Sequence, residues 1–220
     1  MIITTQMLLE KYRDYSNPLS KIKRLKDKGE IFYLTRGLYE TDKNAPGHCL
    51  AGAIYGPSYL SFDYVLSRYG LIPEAVYAFT SATFEKKKAK KHENYFGTFL
   101  YRDIPSEAYP FGITIKEENG YFYQIAYPEK ALCDKLYTMP PVTSRRELEK
   151  MLFEDLRIDA DEFAKLNREA IMQIGDKYHC NNLKYLMKYL KRSGKPNLSA
   201  KMPTSFGGSA QGPSESCSCC

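Results

Sequence analysis

The sequence predicts an α+β fold, with an N-terminal winged helix-turn-helix followed by a mixed domain with a small antiparallel sheet and C-terminal helices. Two amphipathic helical patterns and a hairpin pattern open the chain, segments rich in β-branched and aromatic residues follow, and helical patterns return after residue 127. With 220 residues, 43% of them hydrophobic, the chain can bury a core, which excludes a wholly disordered protein. We expect domains at 1–45 and 46–192 and a disordered Gly/Ser-rich tail at 193–220.

Two short helices should open the chain. Thr4 or Thr5 suits the N-cap of the first, whose apolar residues recur at helical spacing. Pro18 cannot continue that helix but suits the first position of a second one, over 18–28, which Gly29 ends. The apolar stripe of the second helix is formed by Leu19, Ile22 and Leu25.

The opposite side of the second helix is basic, and a hairpin follows it. Gly37 suits the turn between two short strand patterns. Two helices joined by a tight turn and followed by a hairpin have the order of a winged helix-turn-helix. An ordinary helical hairpin with solvated lysines is the alternative, and Asp27 on the same outer side favours it. The predicted DNA-contacting residues are Ser20, Lys21, Lys23, Arg24 and Lys28 on the helix and Arg36 on the wing.

The middle of the chain should form the small antiparallel sheet. Ser61 suits the N-cap of a helix, and strand patterns follow at 76–83 and 95–101. The lysine-rich segment, residues 86–91, separates these two strands. Asn119-Gly120 between two further strand patterns is a strong hairpin signal.

Helices should complete the folded part of the chain. Pro128 opens one helix, and Ser144 with Glu147 resembles a capping box for the next. Asp159 suits the N-cap of a helix that runs through Ile174.

The last predicted helix, over 181–192, is amphipathic and basic. Such helices usually pack their apolar side and solvate the rest, so contact with a DNA backbone is a second hypothesis for this surface. Its basic side carries Lys184, Lys188 and Lys191.

The positive charge is concentrated in one segment. The chain has 32 basic and 26 acidic residues, a net charge of +6. Residues 177–201 contain seven basic residues and no acidic one, so the remainder has 25 basic against 26 acidic residues, a net charge of −1. Residues 103–162 contain thirteen acidic and seven basic residues. Basic ends around an acidic middle can contact two kinds of partner.

The sequence has no motif of an enzyme. The three histidines form no pair at zinc-ligand spacing, and His48-Cys49 and His179-Cys180 are single dipeptides. The chain has no phosphate-binding loop, dinucleotide fingerprint or nucleophile elbow. We therefore predict no catalytic residue, no metal and no cofactor.

Cysteine usage and hydropathy favour the cytoplasm. No apolar run approaches the ~20 residues that span a bilayer, and the N-terminus lacks the features of a signal peptide. We expect a cytoplasmic protein without a membrane partner and with reduced thiols. Three cysteines are isolated and three crowd the tail: Cys49, Cys133, Cys180, Cys217, Cys219 and Cys220.

Four sequence blocks together carry a resemblance to a known family. They are Gly37-Leu38-Tyr39, Gly56-Pro57-Ser58-Tyr59-Leu60-Ser61 within 50–61, Tyr69-Gly70-Leu71-Ile72-Pro73-Glu74, and Pro128-Glu129-Lys130-Ala131-Leu132-Cys133-Asp134 within 125–134. Their order and spacing resemble the AbiEi-type antitoxins, the antitoxin half of bacterial AbiE type IV toxin–antitoxin systems. With the helix-turn-helix, the resemblance extends over about residues 1–192.

The resemblance implies two activities. Its N-terminal winged helix-turn-helix would bind operator DNA and repress its own operon, and its C-terminal part would counter a nucleotidyltransferase-like toxin. It implies no catalysis by this chain, because the toxin carries the chemistry. This sequence departs from the family in having two rather than three helices before the wing, and in its tail. The blocks themselves should be structural, as turns, caps and packing residues.

Two other classes of function stay open. The first is an interaction protein without DNA binding, which acts through its acidic middle or its lysine-rich segment. The second is an unrecognised enzyme, which a polar cluster in a pocket would favour.

Overall fold

A computed structural model describes residues 1–192 and confirms the α+β class. Its helices are α1 (Thr5–Lys11), α2 (Pro18–Asp27), α3 (Gly47–Ile54), α4 (Phe62–Arg68), α5 (Pro128–Tyr137), α6 (Arg145–Lys150), α7 (Ala160–Lys165), α8 (Arg168–Gly175) and α9 (Asn181–Arg192). Its strands are β1 (Ile2–Thr4), β2 (Phe32–Thr35), β3 (Leu38–Glu40), β4 (Tyr59–Leu60), β5 (Phe79–Thr83), β6 (Lys90–Asn94), β7 (Gly97–Asp103), β8 (Ile113–Glu118) and β9 (Tyr121–Ala126). A π-helical turn, Met151–Asp155, continues α6, and a 3-10 turn, Asp176–Tyr178, continues α8.

The strands form two sheets. A three-stranded antiparallel sheet has the order β1-β3-β2, and a six-stranded sheet has the order β6-β7-β5-β4-β9-β8. In the larger sheet β4 runs parallel to β9 and β5 runs parallel to β7. The prediction of a small antiparallel sheet in the middle of the chain is therefore wrong. The connections between the paired strands are long enough to return the chain in the same direction, which makes the sheet mixed.

The N-terminal part, residues 1–45, begins with a strand rather than a helix. Its element order is β1-α1-α2-β2-β3, and the hairpin lies where the sequence predicted it. Gly37 adopts a φ of +80° in the turn, a conformation that other residues rarely adopt. A winged helix-turn-helix in this part stays a prediction.

The small sheet faces two different cores. Ile3 packs with Leu8, Ile22 and Leu25 of the two N-terminal helices, whereas Leu34 belongs to the core of the body, residues 46–192. Because successive side chains of a strand point to opposite faces, α1 and α2 cover one face and the body covers the other. This arrangement leaves α2 on the side away from the body.

Aromatic contacts join the two parts. The Phe32 ring centroid lies 4.5 Å from that of Tyr95 and 5.8 Å from that of Phe96. The Asn94 side-chain amide donates a hydrogen bond to the Leu34 carbonyl at 3.1 Å. These contacts place β2 beside β6, where the edges of the two sheets meet.

Caps confirm two of the predicted helix starts. The Thr4 hydroxyl accepts a hydrogen bond from the Met7 N–H at 3.2 Å at the start of α1. The Ser144 hydroxyl accepts one from the Glu147 N–H at 3.2 Å at the start of α6. The Glu147 carboxylate in turn accepts one from the Thr143 N–H at 2.8 Å, which completes a reciprocal cap.

One predicted cap and one predicted helix length differ from expectation, whereas the Asp159 side chain caps α7 as predicted. Ser61 precedes α4, but its hydroxyl makes no cap and instead donates to Asp134 at 2.5 Å. The helix predicted from Asp159 through Ile174 is divided into α7 and α8. Asn167 caps the second of these by accepting from the Ala170 N–H at 3.1 Å, which starts a new helix.

No helix in residues 1–192 is long and apolar enough to cross a membrane. Cys49 and Cys133 are buried and Cys180 is half-buried, and all three are free thiols. The predicted disordered tail, 193–220, with its three cysteines, lies outside the described residues.

Candidate nucleic-acid interface

Helix α2 is fixed at both its start and its inner side. The Asn17 side chain accepts a hydrogen bond from the Ser20 N–H at 3.0 Å, and Pro18 occupies the first helical position. Ile22 and Leu25 are each 5% exposed in the core of the N-terminal part. The remaining sides of the helix are therefore free to carry polar residues.

The sequence correctly predicted the basic outer side of α2. Ser20, Lys23, Arg24 and Lys28 are exposed, and within residues 1–192 none of these three basic side chains forms an ion pair. Lys21 is half-buried, because its ammonium lies over aromatic rings. The distances from its Nζ to the ring centroids are 5.7 Å for Tyr12 and 5.4 Å for Tyr15.

The apolar stripe of α2 is shorter than predicted. Leu19 was expected in it, but 64% of this residue is exposed. Helix α1 ends at Lys11, and the small core reaches only the later turns of α2, so among the described residues none buries Leu19. An exposed leucine beside Ser20 and Lys23 offers apolar contact to a thymine methyl group.

Arg36 lies apart from α2, in the turn of the β2–β3 hairpin. It is exposed, and the Thr5 N–H donates to the Gly37 carbonyl at 2.9 Å, which fixes the turn against the start of α1. No ion pair or hydrogen bond in the described part of the chain joins Arg36 to α2. The six predicted residues thus form one helical surface with a separate basic residue on the hairpin.

The N-terminal part is positively charged. Residues 1–45 contain nine basic and six acidic residues, a net charge of +3. One of the acidic residues, Glu40, is fully buried and bonds the amino group of Met1. Another, Glu10, pairs with Arg13 at 3.2 Å. Asp27 is the acidic residue on the exposed side of α2.

The second basic surface lies on α9, in the body. The helix begins where the sequence predicted and continues to Arg192, the last described residue, and it packs on α5, α6 and α8. Its buried residues are Leu183, Leu186, Met187 and Leu190. Its exposed basic residues are Lys184, Lys188 and Lys191.

The lysine-rich segment is partly strand, because β6 begins at Lys90. This strand is an edge of the large sheet. Lys91 pairs with Glu93 at 2.6 Å, and the Lys86 ammonium lies 5.3 Å from the Tyr55 ring centroid. Lysines on an edge strand oppose pairing with another chain, which accounts for part of this charge.

The body contains a polar network that was not among the predictions from the sequence. Asp134 accepts hydrogen bonds from Tyr59 Oη at 3.0 Å, from Ser61 Oγ at 2.5 Å and from the Tyr178 hydroxyl. The Lys130 ammonium lies 3.4 Å from Asp134 Oδ1 and donates to Tyr178 Oη at 2.6 Å. The i,i+4 spacing of Lys130 and Asp134 on α5 is the local signal of this pair, but their other partners are distant in sequence.

This network is closed to solvent. The side chains of Lys130, Asp134 and Ser61 are fully buried, and Tyr59 and Tyr178 are at most 2% exposed. Burial lowers the pKa of Lys130, which the carboxylate of Asp134 opposes. Because a substrate cannot reach these groups, the network is a structural element rather than a catalytic site.

No model of a known protein family matches this chain, and no curated protein matches it. Function must therefore be argued from the residues. The network nevertheless explains two of the four blocks that carry the resemblance, because it joins Tyr59 and Ser61 of the second block to Lys130 and Asp134 of the fourth. In these two blocks, the four residues of the network are buried and pack elements together, as a structural role requires.

Proposed function

We propose that the N-terminal part binds double-stranded DNA, with α2 in the major groove and Arg36 of the hairpin on the adjacent backbone. The observation that carries this proposal is the exposed basic side of α2, whose opposite side is anchored by Ile22 and Leu25. A helix of ten residues is about 15 Å long, and a helix with its side chains fits the roughly 12 Å width of the major groove. Ser20 is a base-edge donor, and Arg24 and the lysines contact phosphates.

The element order supports a winged helix-turn-helix. Two helices are followed directly by a two-stranded hairpin, and the strand β1 that precedes them pairs with the second strand of that hairpin. The body packs on the opposite face of the small sheet, so it does not cover the exposed side of α2.

We further propose that the chain is an AbiEi-type antitoxin and a repressor of its own operon, in the cytoplasm. The four sequence blocks support this part of the proposal, and no catalytic group is assigned to the chain. The chemistry belongs to the nucleotidyltransferase-like toxin, which is a functional partner. Co-expression with the product of the neighbouring gene tests it: the chain should relieve growth arrest by that product, and unrelieved arrest contradicts antitoxicity.

DNA binding is tested by mobility shift with the promoter upstream of the gene, across a salt series. Each phosphate contact contributes about 0.9 to the slope of log K against log salt, so Arg24→Ala with Lys28→Ala should lower the slope by about 1.8. The matched control is Arg146→Ala with Lys150→Ala, an exposed arginine and an exposed lysine at the same i,i+4 spacing on α6. Unchanged affinity and slope in the α2 variant would contradict the proposed interface.

A second candidate function is protein binding through the β8–β9 hairpin without any DNA binding. Ile115 is 61% exposed and Phe122 is 70% exposed on the same face of this hairpin, beside exposed Glu117. Ile115→Ser with Phe122→Ser should abolish capture of the neighbouring gene product and leave the mobility shift unchanged.

A further inference from the structure

The start of helix α3 lies close to its neighbours, and this fixes two side chains. A Cβ atom on Gly47 would lie 2.5 Å from the Phe79 ring and 2.6 Å from the Phe96 carbonyl oxygen, so glycine permits the approach. His48 and Cys49 follow in the first turn and are 9% and 5% exposed. Both lie beside the β8–β9 hairpin.

The hairpin brings a third polar group to the same place. Glu118 is the last residue of β8, held by the Asn119-Gly120 turn. Its Oε2 lies 3.1 Å from His48 Nε2, although the two residues are 70 positions apart in sequence. The ligating atoms of His48, Cys49 and Glu118 all lie within 4.8 Å of one another.

We propose that His48 Nε2, Cys49 Sγ and the Glu118 carboxylate bind a divalent transition-metal ion of the zinc class. Imidazole, thiolate and carboxylate together are a ligand set that suits Zn²⁺ and Co²⁺. Three protein ligands leave a fourth position for water or a small ligand. The sequence predicted no metal, because it offers no sign that Glu118 lies beside the His-Cys dipeptide.

A groove gives this site access to solvent. It has a volume of about 730 Å³ and runs between α3 and the β8–β9 hairpin, with Cys49 and Tyr123 in its lining. Ser58 also lines it, and its hydroxyl is buried without a hydrogen-bond partner among the described residues. Buried polar groups normally have a partner, so this hydroxyl favours a polar ligand in the groove.

Burial acts on two of the ligands in opposite senses, favouring metal uptake at His48 and opposing it at Cys49. Burial lowers the pKa of His48, so its imidazole is neutral near pH 7 and its ring nitrogen can bind a cation. Burial raises the pKa of Cys49 to about 11, so the free thiol keeps its proton. The metal–sulfur bond forms as this proton leaves to solvent, and the His48–Glu118 hydrogen bond opens as both groups turn to the ion.

One neighbouring charge opposes the cation. Arg68 of α4 interacts electrostatically with both His48 and Glu118 and contacts the Tyr64 hydroxyl at 3.5 Å. A nearby guanidinium repels the ion, so Arg68→Gln should tighten metal binding.

The chain contains a matched control for this site. His179-Cys180 is the same dipeptide, and His179 Nε2 also lies 3.1 Å from a glutamate oxygen, that of Glu107. Among the described residues, however, the three ligand types converge only at His48, Cys49 and Glu118. Cys180→Ser therefore removes an equivalent thiol without affecting the proposed site.

The test is a titration of the reduced full chain with Co²⁺, in a background that carries Cys217→Ser, Cys219→Ser and Cys220→Ser. This background is needed because three clustered thiols of the tail compete for the ion. We expect one equivalent of Co²⁺ with a thiolate charge-transfer band and the visible bands of a tetrahedral ion. Added Zn²⁺ should displace Co²⁺ and so remove both the charge-transfer band and the visible bands.

The variants decide the outcome. Cys49→Ser should abolish the charge-transfer band, Glu118→Gln should weaken binding at least ~10-fold, and Cys180→Ser should change neither. A band that persists in Cys49→Ser, or no band in the parent, overturns the proposal. Arg68→Gln leaves all three ligands in place, so it tests the site even if Cys49→Ser misfolds. If Arg68→Gln binds Co²⁺ no more tightly than the parent does, the ion does not bind beside this guanidinium, and the proposal is wrong.

Discussion

Replacing Asp134 by alanine should destabilise the protein more than any substitution on its surface. The side chain is fully buried on α5 and accepts hydrogen bonds from three hydroxyl groups. It also faces the buried ammonium of Lys130 at 3.4 Å. Alanine removes the counter-charge and leaves the hydroxyls of Tyr59 and Ser61 without their acceptor.

The loss of stability in Asp134→Ala depends on the Lys130 ammonium, which stays buried without its counter-charge. Breaking a buried ion pair by removing one partner costs about 3–5 kcal/mol, because the other charge remains without compensation. Lys130 keeps its hydrogen bonds to the Ala108 carbonyl at 2.6 Å and to Tyr178 Oη at 2.6 Å, which limits the loss. We therefore expect Asp134→Ala to cost about 4 kcal/mol, a large part of the 5–15 kcal/mol by which domains are stable.

Urea unfolding followed by circular dichroism measures this loss. With a slope of about 2 kcal/mol per molar urea, the midpoint should fall by about 2 M. Lys130→Met should cost less, because three hydroxyl donors still stabilise the carboxylate of Asp134. The double variant Lys130→Met with Asp134→Ala should cost less than the sum of the two single changes. A loss below about 1 kcal/mol in Asp134→Ala, or additive single and double changes, would refute a coupled buried pair.

Three further changes test other parts of the fold. Asn182→Leu removes the acceptor of the Val142 N–H, at 2.7 Å, and a donor to three carbonyls, so urea unfolding should show a loss of about 2–4 kcal/mol. Thr4→Ala removes the cap of α1 and should cost about 1 kcal/mol by the same measurement, whereas Thr4→Ser should cost little. Burial, aided by Lys90, lowers the pKa of His92 below 6.5, so the unfolded chain binds a proton first as pH falls. Stability should therefore fall between about pH 7 and about pH 5, and less steeply in His92→Gln, as urea midpoints across that range will report.

Local signals determined how far the sequence could predict the fold. Pro18, Gly29 and Gly37 each mark a chain reversal or a helix end with their own conformational preference, and α2 and the hairpin lie where these residues indicated. Helix α9 was predicted from its apolar spacing, and it begins at Asn181 as expected. Helical spacing correctly predicted that Ile22 and Leu25 of α2 are buried. Leu19 was also expected to be buried, but it is exposed because α1 ends too early to cover it.

The large sheet could not be predicted, because its central strand has almost no pattern of its own. Strand β4 has two residues, Tyr59 and Leu60, which are too few for a periodic signal. It nevertheless lies between β5 and β9 and pairs with both. The candidate metal ligands and the Asp134 network could not be predicted for a similar reason, since hydrogen-bonded partners in them are 70 and 75 residues apart in sequence.

The buried position of the Asp134 network limits what the resemblance can say about function. Tyr59, Ser61, Lys130 and Asp134 belong to the blocks that carry it, and all four are inside the body. These four buried residues report which elements pack together, and a partner cannot contact them. DNA and toxin must act on exposed side chains, so the surfaces of α2, of α9 and of the β8–β9 hairpin are where substitutions should separate repression from antitoxicity. Substitutions in the network should instead reduce both activities together, in proportion to the loss of stability.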